Sequence, residues 1–120
     1  MATTLVILDS TTYGTANGNY DGSSMDWASD GVQAAGYYRG HGGLQSIRYQ
    51  LSDFVGTIYV EATLDETATD ANWFRTIVIG DGSTAVSELR SQTIVGNFAW
   101  MRVRIEGFDN GTINYINITY

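Results

Sequence analysis

From Leu44 onward, apolar and polar residues alternate with a period of two. Ile47, Tyr49 and Leu51 alternate with Arg48 and Gln50, and Ile58, Val60, Ala62 and Leu64 alternate with Tyr59, Glu61 and Thr63. Successive strand side chains point to opposite faces, so each stretch predicts a strand with one buried face. Trp73–Ile79 predicts a third strand, and Gly80-Asp81-Gly82-Ser83 has the composition of a hairpin turn. Short strands are expected near 84–88 and 93–95, then a strand over 98–107, a turn at Asp109-Asn110-Gly111 and a last strand over 112–120. In the 98–107 strand, Ala99, Met101, Val103 and Ile105 share one face, while Phe98, Trp100, Arg102, Arg104 and Glu106 share the other. The first face is oily and wants a core. The second is aromatic and charged.

Residues 3–8 read as an opening strand. Residues 13–43 carry turn chemistry, with eight glycines among Asn and Asp, interrupted by apolar pieces at Met25–Trp27 and Val32–Tyr38. No window of helical length shows a 3.6-residue apolar period. The pattern therefore predicts an all-β fold, an antiparallel β-sandwich of jelly-roll type with about eight strands. An immunoglobulin-like sandwich is the alternative, without the cysteine pair of antibody domains. Residues 1–120 form one domain, with an N-terminal strand and Gly-rich arm over 1–36 and the sandwich core over 37–120. Val55-Gly56-Thr57-Ile58-Tyr59 weakly echoes Asn110-Gly111-Thr112-Ile113-Asn114, which reads as two similar entries into strands.

Composition narrows the partners. The 120-residue chain has net charge −7 and no lysine, so all six of its positive charges are arginines. Binding to phosphate backbones or anionic membranes needs a basic patch, so neither nucleic acid nor membrane is an expected partner. The acidity itself serves solubility. Cysteine is absent, which excludes disulfides and thiolate chemistry. The N-terminus lacks the basic start and apolar run of a secretory signal, so synthesis in a cytoplasm without export is expected.

Candidate catalytic and metal-binding residues are sparse. His41, the single histidine, lies between glycines with no nucleophile elbow in the chain, and reads as an ordinary loop residue. Asn17-Gly18-Asn19-Tyr20-Asp21-Gly22 resembles a calcium loop only superficially, since Asn17 stands where Asp is needed and Ala28 where Glu is needed. A different calcium site from Asp21, Asp26 or Asp30 is the alternative to a series of Asx turns. Asp65, Glu66 and Asp70 crowd one loop, whereas glycosidase carboxylates face each other across a cleft. A solvated acidic loop is expected, with Trp73 anchoring its end. No cofactor, no metal ion and no enzymatic activity are expected.

Trp100, Arg102 and Arg104 form the constellation that points outward to a partner. Arginine stacks on aromatics and pairs with carboxylates, and interface hot spots favour Trp, Tyr and Arg. With Phe98 they make the expected interface. The opposite register would put Phe98 and Trp100 in the core.

The stretch from Tyr37 to Tyr120 resembles a β-sandwich module of tailed-phage virion proteins of marine and cyanobacterial type. The residues that carry the resemblance are Gly36-Tyr37-Tyr38, Gly43-Leu44-Gln45-Ser46, Val55–Leu64 (VGTIYVEATL), Asp70-Ala71-Asn72-Trp73-Phe74, Gly96–Ile105 (GNFAWMRVRI) and Gly111-Thr112-Ile113. The resemblance implies a structural protein of the virion: a capsid accessory or decoration subunit, or a small neck, tail or fibre component. It implies contacts with other virion proteins and with copies of itself, as a homotrimer or ring. A different class of function is a carbohydrate-binding module for host adsorption, with Trp27, Tyr37 and Tyr38 as its aromatic platform.

Overall fold

A computed structural model describes residues 4–37, 43–69 and 71–120. The described strands are β1 (Thr4–Leu8), β2 (Thr11–Thr12), β3 (Trp27–Ala28), β4 (Val32–Gln33), β5 (Leu44–Thr63), β6 (Phe74–Ile79), β7 (Val86–Val95) and β8 (Trp100–Thr119), with a single 3-10 turn over Ala35–Tyr37. They form one eight-stranded antiparallel sheet in the order β1-β8-β5-β6, with β2, β3 and β4 also on β8 and β7 also on β5. The all-β, sandwich-like fold expected from the alternation is the observed one. Among the described residues no helix is long and apolar enough to cross a membrane.

Two 20-residue strands, β5 and β8, organise everything else. They pair with each other along their whole length, from Ser46↔Thr119 to Thr63↔Trp100, and both bend in the middle. One half of the sheet joins β7, the start of β5, the end of β8, and β1. The other joins β6, the end of β5, the start of β8, and β3 and β4. Inward side chains from both halves merge in one core.

The bend explains a change of phase in the alternation. In β5, Ile47, Tyr49 and Leu51 are buried before it, and Phe54, Ile58, Val60 and Ala62 after it. The buried parity switches from odd to even because register shifts fall between Leu51 and Thr57. Such bulges bend a strand and increase its twist. Asp53 there has φ 51°, a left-handed conformation that Asp tolerates better than most residues. In β8, Met101, Val103 and Ile105 face inward, followed by Phe108, then Ile113, Ile116 and Ile118.

Several strands expected as separate elements are therefore continuous. The stretches near 44–51 and 58–64 are one strand, as are those near 84–88 and 93–95, and those at 98–107 and 112–120. The expected turn at Asp109-Asn110-Gly111 is the bend inside β8. The echoed segments meet at this corner, with Val55 paired to Asn110 and Ser52 to Thr112.

The glycine-rich N-terminal segment does not stand off as an arm. Its short strands run along β8, and it sends Tyr20 and Trp27 into the core beside Phe54 and Phe108. Turn chemistry holds it together. The Asp21 carboxylate accepts the backbone N–H groups of Ser23 and Ser24 at 2.8 and 2.7 Å, which lowers its pKa from 3.8 to about 2. Asp81 does the same with Thr84 and Ser83 in the turn before β7.

Candidate functional site

The outer face around the start of β8 brings aromatic and arginine side chains together. Met101, Val103 and Ile105 are completely buried, which turns Trp100, Arg102 and Arg104 outward. From β5, opposite them, come Tyr59, Glu61 and Thr63. Arg75 enters from β6 opposite Glu61. Glu66 and Trp73, which follow β5 in the chain, touch this face.

Its side chains are tied to one another. Arg102 Nε donates to Glu61 Oε1 at 2.8 Å, and its guanidinium lies 4.5 Å from the centre of the Trp73 ring. Arg75 stacks over Tyr59 at 3.7 Å. Glu106 Oε2 accepts from Arg104 Nε at 3.1 Å and lies 3.8 Å from Arg75 Nη2. Trp100 Nε1 donates to the Glu66 carbonyl at 3.0 Å, and Tyr37 meets the Trp100 ring edge to face at 5.3 Å. The result is a fixed mosaic of four aromatic rings and three guanidinium groups. Tyr37 remains 40% exposed, and Val78 (57%) and Leu64 (67%) add apolar surface nearby.

Arg102 also has a structural duty. Glu61 is only 7% exposed, and Arg102 is its ion-pair partner. Removing one member of a largely buried pair strands the other charge. Arg102→Ala is expected to destabilise the fold by about 2–4 kcal/mol, whereas Arg102→Ala combined with Glu61→Gln recovers at least half of that loss. Urea unfolding of both variants measures the difference.

No family model, no curated protein and no solved structure matches the chain.

The sequence-derived site residues fall into three groups. Trp100, Arg102 and Arg104 share the outer face. Phe98 does not join them, because it precedes β8 and the alternation does not reach it. Its ring packs against the core, over Gly96, and meets Phe74 edge to face at 5.7 Å. The glycan platform is not assembled either. Trp27 is a core residue, 7% exposed and 5.2 Å from Tyr20, so it cannot lie flat beneath a sugar. Tyr37 is instead the edge of the Trp100 mosaic. Tyr38, His41 and Asp70 lie outside the described residues.

Asp26, Asp30 and Asp65 are engaged locally. Asp26 accepts the Gly107 N–H at 3.0 Å, Asp30 accepts the Asn19 amide at 3.0 Å, and Asp65 closes its loop on the Asn72 N–H at 2.6 Å. With the Asp21 turn, each of the three carboxylates considered for calcium has its own hydrogen-bond donor. Among the described residues no group of three or more His, Cys, Asp or Glu side chains is placed to hold a metal. A groove of about 360 Å³ between β1 and the 29–32 segment is flanked by Asp9 and Asp30, both bonded to neighbouring Asn amides.

Sequence reasoning missed Glu61, Tyr59 and Arg75 as members of the outer mosaic, whereas the alternation already puts Glu106 on the Trp100 face. Strand parity places Tyr59 and Glu61 outward, but Arg75 shares the parity of the buried Ile77 and Ile79. It reaches the outer face only through the bulge between the Val60↔Ile77 and Glu61↔Arg75 pairs, and the cross-strand register is a long-range property.

Proposed function

We propose that this chain is a non-enzymatic structural subunit of a tailed-phage particle, either an accessory or decoration subunit of the capsid or a small neck, tail or fibre component. It is made in the host cytoplasm, resides in the virion, and acts by packing against copies of itself and other virion proteins. The resemblance of residues 37–120 supplies the setting. The observation that carries the packing part is the outer mosaic of Tyr37, Tyr59, Trp73 and Trp100 with Arg75, Arg102 and Arg104. Trp, Tyr and Arg are the residues that dominate interface energetics. Here they are already immobilised by internal contacts, so docking a partner costs little further side-chain entropy.

The double variant Tyr37→Ala/Arg104→Ser tests this reading at the exposed margin of the mosaic, leaving the Glu61–Arg102 pair intact. Its incorporation into particles is expected to fall at least about tenfold, equivalent to about 1.4 kcal/mol of contact energy, with an unchanged far-ultraviolet circular dichroism spectrum and cooperative unfolding. Normal incorporation of the folded variant would remove this face from the assembly account.

A further inference from the structure

We infer that β7 is a self-complementary edge, through which two copies of this chain pair antiparallel about a twofold axis at Leu89. The inference rests on the reading of the chain as a subunit that packs against its own copies, and it makes one such contact specific. Among the described residues, β7 pairs with β5 on one side and with no strand on the other. It is a ten-residue edge without proline. Long free edges of this kind invite another strand, and natural proteins usually block them. Leu89 and Val95 stand 60% and 74% exposed along it.

Charge selects the occupant and the register. Glu88 and Arg90 lie on one face of β7, with Arg90 Nε 3.4 Å from Glu88 Oε2. Glu88 is anchored by the Tyr49 hydroxyl, which donates to its Oε1 at 3.1 Å, while the Arg90 side chain is 65% exposed at the edge. Two antiparallel copies that continue one sheet about an axis normal to it keep the same faces up. A twofold at Leu89 then sets Glu88 opposite the partner's Arg90, and Arg90 opposite the partner's Glu88. It also sets Ser87 opposite the partner's Ser91 and Leu89 against the partner's Leu89. Moving the axis one residue either way opposes two Glu88 or two Arg90 side chains, and like charges directly opposite destabilise a sheet. The arginine and glutamate that would repel a slipped copy therefore attract a copy in this register. The contact is isologous and closes at two chains, so a trimer or ring needs a different surface, such as the Trp100 mosaic.

The absence of cysteine gives a direct test with purified protein. Directly opposed strand residues have Cα atoms within disulfide range, and residues four positions apart do not. Leu89→Cys is expected to convert most chains to a disulfide-linked dimer under mild oxidation. Ser87→Cys and Ser91→Cys are each expected to stay monomeric on reducing-agent-free gels, but to cross-link when mixed. Arg90→Glu should raise the dimer dissociation constant at least about tenfold, and Glu88→Arg/Arg90→Glu should restore it to within about threefold. Cross-linking of Leu89→Cys no faster than of Ser87→Cys alone would overturn the inference, as would a wild-type chain that sediments as a monomer at every concentration. Both readouts use protein in solution, so they fail separately from incorporation into particles.

Discussion

Phe108→Ala is expected to lower stability by about 3–5 kcal/mol, the largest loss from any single truncation in the chain. Phe108 has no exposed surface and sits where the two halves of the sheet meet. Its ring lies 5.6 Å from Phe54, 5.1 Å from Tyr20, 6.2 Å from Trp27 and 5.7 Å from Tyr13. Those neighbours come from the bend of β5 and from the glycine-rich N-terminal segment, elements far apart in sequence. Truncation therefore opens a cavity at a point the backbone cannot easily close, since β5 and β8 are paired on both sides of it. Domains of this size have about 5–15 kcal/mol of stability in total, so the loss is a large share. Phe108→Leu keeps most of the volume and should cost no more than about 1.5 kcal/mol. Urea unfolding measures both, and hydrogen exchange adds a local readout. In Phe108→Ala, amides of residues 13–28 should lose protection first, because Tyr20 and Trp27 anchor that segment on this ring. A loss below about 1 kcal/mol would mean that the halves do not meet at Phe108.

Gly111→Ala is expected to cost more than about 3 kcal/mol, although it adds a single methyl group. Gly111 has φ +87°, and a Cβ there would overlap the carbonyl of Asp53 and lie 2.6 Å from Phe54 N. Both obstacles are backbone atoms of the paired strand at its own bend, so no side chain can swing away. The Gly111 carbonyl also accepts the Tyr13 N–H at 2.9 Å, so moving it disturbs the N-terminal segment too. Gly107 provides the control. It has φ +65°, but open space where its Cβ would be, so Gly107→Ala carries only the left-handed backbone cost of about 1–2 kcal/mol. The gap between the two alanine variants isolates the close approach of the strands from the conformational strain. Equal thermal midpoints for the two would show that the corner is looser than described.

The inward residues were legible because burial on one face of a strand leaves a period-two trace. Ile47–Leu51, Ile58–Ala62 and Met101–Ile105 all face inward as their alternation predicts. The strand breaks were misread for a physical reason. A hairpin turn and a bulged bend draw on the same residues, since both need Gly, Asn or Asp in left-handed conformations. Asp109-Asn110-Gly111 carries the composition of either. Only pairing decides between them, and here β5 and β8 stay side by side through the corner. Phe98 was misplaced because parity was extended two residues beyond the strand's start. Trp27 looked like a surface ring because its segment is polar and glycine-rich, yet β3 pairing at Trp27↔Ile105 turns it into the core. The Trp100, Arg102 and Arg104 face was legible. Its internal partners Glu61, Trp73 and Glu66 were not, because contacts across 29–41 residues leave no local mark.

The packing role is tested most directly by quantifying this chain in purified particles. Particles taken through two successive density gradients at high salt would be digested and analysed by mass spectrometry against labelled peptides. A structural subunit is expected at a fixed copy number per particle, constant between preparations and in ratio to the major capsid or tail protein. A chain that is lost between the first and second gradient, or whose amount varies independently of the particle count, would contradict the account.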